Sequence, residues 1–240
     1  MPNRLASALV AASALAGALA AMPGSAAAGS LQVDPIRLEI SQGRRTATLR
    51  VTNQEQAPVT IRAYALTWRQ VDGEDLYEES SAVIVSPPIF TIPAGGTQLI
   101  RVGLRTPSAD PRAFRLMVEE VPQASPGGGV QVALRLNLPL FAMMNAGTAG
   151  ELGWGASRGA DGRWTVEAVN PGPNYVRVEP AAAEAATGVD FDNNANLGVV
   201  LPGSRRRWIV GDAPALLDRA RFSSLQRVAA SADANAPRGN

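Results

Sequence analysis

The sequence predicts an all-β protein made of two immunoglobulin-like β-sandwich domains. Short segments in which apolar and polar residues alternate recur at regular spacing, and Gly- and Pro-rich turns separate them. A run of small residues at 146–150 interrupts this pattern as a linker does. We therefore expect an N-terminal domain over 29–145 and a shorter C-terminal domain over 146–240.

Each predicted strand has either period-two alternation or a β-branched, apolar composition. Asp72-Gly73 is a tight-turn dipeptide and predicts a hairpin between Trp68 and Leu76. The periodicity of 215–230 does not decide between helix and strand. The predicted strands are 33–40, 46–53, 59–68, 82–85, 90–92, 98–104, 114–121 and 130–141 (the longest), followed by 164–169, 175–178, 198–201 and 206–210.

The first 28 residues have the pattern of a secretory signal peptide. Arg4 precedes a long apolar run, and Ala26 and Ala28 occupy the small-residue positions before a cleavage site at Gly29. The alternative is an uncleaved membrane anchor. No later stretch approaches the ~20 apolar residues that span a bilayer, so we expect an exported mature chain without membrane insertion.

Composition excludes much of the common chemistry. The 240 residues include 22 basic and 21 acidic side chains, a net charge of +1, so nucleic acid is not an expected partner. There is no Cys, no His and no Lys, and every basic residue is Arg. Zinc fingers, His-ligated metal sites, Cys nucleophiles, His bases and Lys Schiff bases are therefore absent, and we expect no metal, no cofactor and no enzymatic activity.

A cluster of carboxylates follows the Asp72-Gly73 turn. Glu74, Asp75, Glu78 and Glu79 could form a glycosidase pair or a cation site. A hairpin tip is more often simply solvated, and we favour that interpretation.

The segment 130–138 is the most unusual one. Its alternation places Val130, Val132, Leu134, Leu136 and Leu138 on one face. One interpretation is a half-buried core strand. The other is an edge strand that offers its apolar row to another protein. The pattern leaves both open.

The order of motifs along the chain resembles the periplasmic pilus-assembly chaperones of the chaperone–usher pathway. No single motif is specific, but their order and spacing are. The motifs that carry the resemblance are Val33-Asp34-Pro35-Ile36-Arg37-Leu38, Thr48-Leu49-Arg50-Val51-Thr52-Asn53, Ser86-Pro87-Pro88-Ile89-Phe90, Ile92-Pro93-Ala94-Gly95-Gly96, Leu99-Ile100-Arg101-Val102, Glu120-Val121-Pro122, Leu138-Pro139-Leu140-Phe141, Asn170-Pro171-Gly172-Pro173-Asn174-Tyr175-Val176 and Leu201-Pro202-Gly203-Ser204.

The resemblance implies two domains set at an angle, and a mechanism called donor-strand complementation. A pilus subunit lacks its last strand, and the chaperone lends it a strand whose apolar row fills the exposed groove. The chaperone then delivers the subunit to an outer-membrane usher. Whether the free protein dimerises to cover this strand is left open. The residues at the donor positions are Val130, Val132, Leu134 and Leu136.

The resemblance also implies a cationic anchor for the carboxylate at the subunit's C-terminus. Arg37 falls on the family's subunit-binding arginine, whereas the family's second anchor, a lysine, falls at Pro139. Because the chain has no Lys, the second cation must be an arginine, and Arg101, Arg115 and Arg135 are the candidates. The missing Lys, the loop 123–129 and the stretch 86–105 look more like the archaic branch of the family than its best-known members.

Two other classes of protein compete with this hypothesis. An exported structural or adhesin protein of a surface appendage is the main alternative. A pilus subunit typically has one domain with an N-terminal donor extension, whereas this chain has two predicted domains and its apolar row in the middle. A secreted carbohydrate-active enzyme would need a carboxylate pair in a cleft.

Overall fold

The computed structural model describes residues 30–41, 43–106, 108–122, 132–144, 152–191 and 196–210. Within these ranges the chain forms fifteen strands and one short helix, which confirms the all-β prediction. None of the described helical residues forms a helix long and apolar enough to cross a bilayer. The predicted signal peptide, the linker 146–150, the loop 123–129 and the segment 215–230 lie outside the described residues, so the domain boundaries remain predictions.

The first ten strands form a sandwich of two sheets. One sheet has the order β1-β3-β8-β6, and the other has the order β2-β10-β9-β4-β5, with β7 also paired to β4. Their inward side chains form one core that includes Leu49, Ile61, Ile100, Leu116 and Leu140. The strands are β1 (Leu31–Asp34), β2 (Leu38–Ile40), β3 (Thr46–Asn53), β4 (Val59–Val71), β5 (Glu74–Glu79), β6 (Val83–Ser86), β7 (Ile89–Ile92), β8 (Thr97–Leu104), β9 (Arg112–Glu120) and β10 (Arg135–Ala142).

The predicted single strand 33–40 is two strands that belong to different sheets. β1 pairs antiparallel with β3, whereas β2 pairs parallel with β10. Pro35 separates them, because a proline has no N–H to continue the ladder. The switch between sheets brings Arg37 next to β10.

The last five strands and the helix α1 (Pro180–Thr187) form the C-terminal part. A three-stranded sheet β11-β12-β15 and a two-stranded sheet β13-β14 enclose a second core. Neither β11 nor α1 was predicted. The helix begins at a proline, ends at Gly188 in the left-handed region (φ 69°), and is too short to display a period. The strands are β11 (Gly153–Arg158), β12 (Trp164–Val169), β13 (Val176–Arg177), β14 (Val199–Val200) and β15 (Arg205–Val210).

A buried asparagine closes a strand end in each domain in the same way. Asn53 Nδ2 donates to the carbonyls of Ala57 (2.8 Å) and Ile92 (3.2 Å). Asn170 Nδ2 donates to the carbonyls of Asn174 (2.7 Å) and Val200 (3.0 Å). Each Oδ1 also accepts the N–H two residues later. The repeated device indicates that the two domains are variants of one fold.

Replacing Asn53 by Ala is expected to destabilise the chain by about 3 kcal/mol, because the fully buried Asn53 amide is removed and the carbonyls that it bonds, including the buried Ile92 carbonyl, lose their donor. Urea unfolding followed by Trp fluorescence measures the change. The neighbouring exposed residue provides the control, since Gln54→Ala is expected to change the midpoint very little. A loss below about 0.5 kcal/mol in Asn53→Ala would contradict the assigned role.

The prediction that 130–141 is the longest strand is wrong. β10 has eight residues and begins at Arg135, whereas β4 has thirteen. β4 extends beyond the predicted end at Trp68 because its last three residues pair with β5 up to the hairpin turn. Asp72 and Gly73 have φ values of 52° and 90° there, which confirms the predicted tight turn.

Candidate functional site

A cleft of about 630 Å³ lies between the two domains. Its floor is the outer face of the sheet that contains β10, β9 and β4, and its opposite wall comes from the C-terminal domain. Four arginines line the cleft against one acidic residue, Asp75, so the cleft favours an anionic ligand. The four are Arg37, Arg115, Arg177 and Arg206.

Arg37 is held at the cleft by an acidic neighbour. Its Nε lies 3.2 Å from Glu39 Oε1, and its side chain is 47% exposed. The same Glu39 oxygen accepts a hydrogen bond of 3.0 Å from the Tyr175 hydroxyl of the C-terminal domain. The Tyr175 ring stacks on Phe141 of β10 at a centroid distance of 3.7 Å. Arg37 is therefore oriented by both domains, while about half of its side chain remains exposed.

Arg115 lies beside the position where the resemblance puts the family's lysine. Its register partner on β10 is Pro139, and both residues line the cleft. The guanidinium carbon is 3.8 Å from the centre of the Trp68 ring, which is a cation–π contact. The buried Nε has no hydrogen-bond partner among the described residues. A buried donor without a partner is costly, so this arrangement of Arg115 is held by its packing and not by a hydrogen bond of Nε.

The other two candidate arginines lie elsewhere. Arg101 is exposed on β8 of the opposite sheet, where it pairs in register with Thr48 and Ser86. Arg135 forms an ion pair with Glu119 (2.9 Å), and its side chain is 67% exposed. The fold thus brings together Arg37 and Arg115, but neither of the other two lines the cleft.

Tyr175 is less acidic than an ordinary tyrosine. Burial, followed by the hydrogen bond to Glu39, raises its pKa to about 12 from 10.0. The hydroxyl therefore donates to Glu39 throughout the neutral range. Because the pKa is higher in the folded state, this stabilisation is complete below pH 10 and is lost as the pH rises from 10 to about 12.

Replacing Tyr175 by Phe is expected to cost about 1 kcal/mol at pH 7, since one hydrogen bond is lost. It is also expected to remove both the tyrosinate absorbance that develops near pH 12 and the alkaline decline in stability attributed to Tyr175. Urea titrations at several pH values and a near-UV titration measure these effects. An unchanged alkaline slope in the variant would argue against this assignment.

The acidic cluster at the hairpin is only partly solvated. Glu78 forms an exposed pair with Arg69, as expected of a hairpin tip. Asp75 differs, because it accepts hydrogen bonds from Trp68 Nε1 (2.9 Å) and Gln70 Nε2 (2.9 Å) and pairs with Arg206 of the C-terminal domain. For Asp75 the prediction of a solvated position is therefore wrong, because the second domain packs over that end of the hairpin.

The apolar side chains of the segment 130–138 become more exposed from its C-terminal end towards its N-terminal end. Leu138 is buried, Leu134 and Leu136 are partly buried, and Val132 is 77% exposed. Val130 lies outside the described residues. The two interpretations therefore apply to different parts of one segment: its C-terminal part is a core strand, and its N-terminal part presents apolar side chains to solvent.

The backbone of β10 is open along one side. The Glu120 N–H donates to the Leu134 carbonyl. Because successive residues of a strand direct their N–H and C=O groups to opposite sides, every second residue counted from Leu134 directs these groups to β9. Arg135, Asn137 and Pro139 direct theirs away from β9. On that side, among the described residues, the only strand paired with β10 is β2, and it reaches only the last three residues. A partner strand could therefore pair with the first part of β10.

Sequence reasoning missed the contributions of the second domain to the cleft. Arg177, Arg206 and Tyr175 lie in segments whose composition resembles any other strand. Trp68 was assigned to a core or sheet face, and it is buried at the junction of the two domains. The available signal was the position of Tyr175 inside the 170–176 motif.

Residues 30–143 match the family model described as pili and flagellar-assembly chaperone, PapD N-terminal domain. The fold is similar to a crystal structure of the CsuC–CsuE chaperone–tip adhesion subunit pre-assembly complex from the archaic chaperone–usher Csu pili of Acinetobacter baumannii. The TM-score is 0.64 at 21% identity, over 78% of this chain and 90% of that one.

Two further structures share the fold. One is the E. coli chaperone DraB, with a TM-score of 0.54 at 19% identity over 77% of this chain and 88% of that one. The other is the Salmonella enterica SafA pilin in complex with the SafB chaperone, with a TM-score of 0.52 at 16% identity over 80% and 87%. No curated protein matches the sequence.

Residues 30–143 therefore form a domain of the pili and flagellar-assembly chaperone type, the PapD N-terminal domain. This result confirms the family resemblance and the two-domain β-sandwich fold. The matched family is one of chaperones, whose role is non-catalytic. The match gives no support to the alternative hypothesis of a structural or adhesin protein.

Proposed function

We propose that the chain captures a pilus subunit by donor-strand complementation, with the segment 130–136 as the donor. The observation that carries the proposal is the apolar row that leaves the core beside an open backbone edge. Val132, Leu134 and Leu136 would fill pockets of the subunit groove, while the backbone of β10 would pair with a subunit strand. Burial of each such side chain contributes about 1.5–3 kcal/mol.

We further propose that Arg37 and Arg115 bind the terminal carboxylate of that subunit. A guanidinium binds a carboxylate through two parallel hydrogen bonds, which fixes position as well as charge. Register matters here, because a shift by one residue would turn the apolar row away from the groove. Arg115 would take the place of the family's lysine, since it is the cross-strand neighbour of Pro139.

We infer the cellular setting from the resemblance to pilus chaperones and from the predicted leader. Pilus chaperones of this family act in the periplasm, and the predicted signal peptide over 1–28 would direct the chain there. We propose the archaic branch and delivery of the subunit to an outer-membrane usher. We leave open, as a separate hypothesis, that a second copy covers the exposed row in the free protein.

Capture from cells tests the proposed function. The tagged mature chain is purified from the periplasm of cells that also express the neighbouring genes, and co-purifying proteins are identified by mass spectrometry. We expect a small pilin-like protein in stoichiometric amount. Leu134→Asp is expected to lose it because a charge would enter the groove, and Arg37→Ala because the anchor is removed. Absence of any partner from the parent chain would overturn the proposal.

A further inference from the structure

Two aromatic rings of the β4–β5 hairpin lie against the Arg115 guanidinium. Its carbon is 3.8 Å from the Trp68 ring centre and 5.8 Å from the Tyr77 ring centre. The two rings are cross-strand neighbours, with centres 6.4 Å apart. Because the buried Nε of Arg115 has no hydrogen-bond partner among the described residues, the rings help to set the direction of the guanidinium.

The Asp75 carboxylate accepts a hydrogen bond from each of the two aromatic side chains. Asp75 Oδ1 accepts a hydrogen bond of 2.9 Å from Trp68 Nε1, and Oδ2 accepts one of 3.2 Å from the Tyr77 hydroxyl. An indole whose N–H is held in this way cannot turn without losing a hydrogen bond to a charged acceptor, which is among the stronger kinds. The orientation of the surface under Arg115 therefore depends on Asp75.

The same carboxylate reaches the second domain. Arg206 donates to Oδ2 at 3.1 Å, and the Gln70 amide donates to Oδ1 at 2.9 Å. The Gln70 side chain is in turn hydrogen-bonded to the C-terminal domain. Its Nε2 donates to the Val199 carbonyl on β14, and its Oε1 accepts from the Leu201 N–H just after β14. Asp75 thus connects the rings under Arg115 to the wall of the cleft that the C-terminal domain supplies.

Asp75 is ionised at neutral pH. Burial acts to raise its pKa, but hydrogen bonds from Gln70 and Trp68 and the charge of Arg206 outweigh burial, so the pKa lies below its ordinary value of 3.8. The carboxylate can therefore accept all four hydrogen bonds at once.

We propose that Asp75 is a positioning residue for the subunit anchor: it fixes the Trp68 and Tyr77 rings that orient Arg115, and it couples that orientation to the docking of the second domain. The inference rests on the proposed function for its biological meaning. Its structural claim, that the placement of Arg115 depends on Asp75, is measured on the free chain without any ligand.

The first test is the NMR signal of the Arg115 Nε–H in the full mature chain, assigned by its absence from Arg115→Lys. In the parent, we expect the two rings to move the chemical shift of this proton away from that of exposed arginines. In Asp75→Asn, which keeps the size of the side chain but not its charge, we expect the signal to move towards that position. Glu78→Gln, on the same strand and in an exposed ion pair, is the matched control and is expected to leave the signal unchanged.

The second test is binding of the C-terminal peptide of the captured subunit, as free acid and as amide. We expect Asp75→Asn to lower the acid-to-amide affinity ratio by about tenfold. In an Arg115→Ala background we expect Asp75→Asn to have no further effect on the ratio, because it acts through Arg115. Additive effects, or an unmoved Arg115 signal in folded Asp75→Asn, would overturn the inference. Failure of the parent to bind any subunit would overturn the proposed function and leave the NMR result standing.

Discussion

Replacing Val132 by Asp is expected to abolish capture of the pilus subunit while leaving the stability of the free chain unchanged. The side chain is 77% exposed in the free protein, so a charge there has little folding cost. In the complex it would lie in an apolar pocket. The variant would lose about 1.5–3 kcal/mol of apolar burial and would also have to desolvate a carboxylate. Together these effects correspond to a loss of affinity of more than about a thousandfold.

The neighbouring residue provides the control for Val132. Ala133 is also exposed, but alternation puts it on the opposite face of the donor segment, so Ala133→Asp is expected to keep capture. Affinity is measured by titration of the purified chain against the subunit, and stability by urea unfolding. Equal losses in both variants would show that the apolar row is not what the subunit recognises, and full capture by Val132→Asp would exclude it as a donor residue.

Replacing Arg115 by Ala is expected to remove most of the preference of the cleft for a free carboxylate. A hydrogen bond to a charged group contributes about 1.5–3 kcal/mol, so we expect the free acid of the subunit's C-terminal peptide to lose roughly tenfold or more in affinity. The amidated peptide should lose much less. Arg115→Lys keeps the charge but not the planar fork, and is expected to restore only part of the preference.

The two arginines outside the cleft make the Arg115 experiment specific. Arg101→Ala and Arg135→Ala remove the same charge from the chain, but neither residue lines the cleft, so both are expected to keep the acid-to-amide ratio. Arg37→Ala is expected to lower the ratio as Arg115→Ala does. If Arg135→Ala lowered the ratio and Arg115→Ala did not, the anchor would lie along the donor strand instead of in the cleft.

Most strands were predictable from the sequence because they are half-buried. Thr46–Asn53 alternates between core and more exposed positions, Trp164–Val169 is rich in apolar and β-branched residues, and the predicted bounds of both strands agree with the structure. The wrong or missing predictions concern segments whose pattern of apolar and polar residues does not reveal the structure. Val33–Ile40 looks continuous although Pro35 divides it between two sheets, and Pro180–Thr187 is too short for a helical period to appear.

The proposed anchor was predictable only in part. Arg37 could be chosen because it lies in a motif whose order along the chain is characteristic of the family. Sequence position could not rank Arg101, Arg115 and Arg135, since each is an arginine on a strand. Only the antiparallel register puts Arg115 opposite Pro139, and only the packing of the second domain closes a cleft around it.

The sequence by itself determined the all-β class and the apolar row of the segment 130–138, because these depend on alternation, and it restricted any cationic anchor to arginine, because the chain has no Lys and no His. The tertiary structure decided where the apolar row leaves the core and which arginines share a cleft. It also decided that Asp75 lies at the interface of two domains instead of at a solvated tip. These properties depend on contacts between residues far apart in the chain, such as the pairing of Asp75 with Arg206, and no local pattern encodes such contacts.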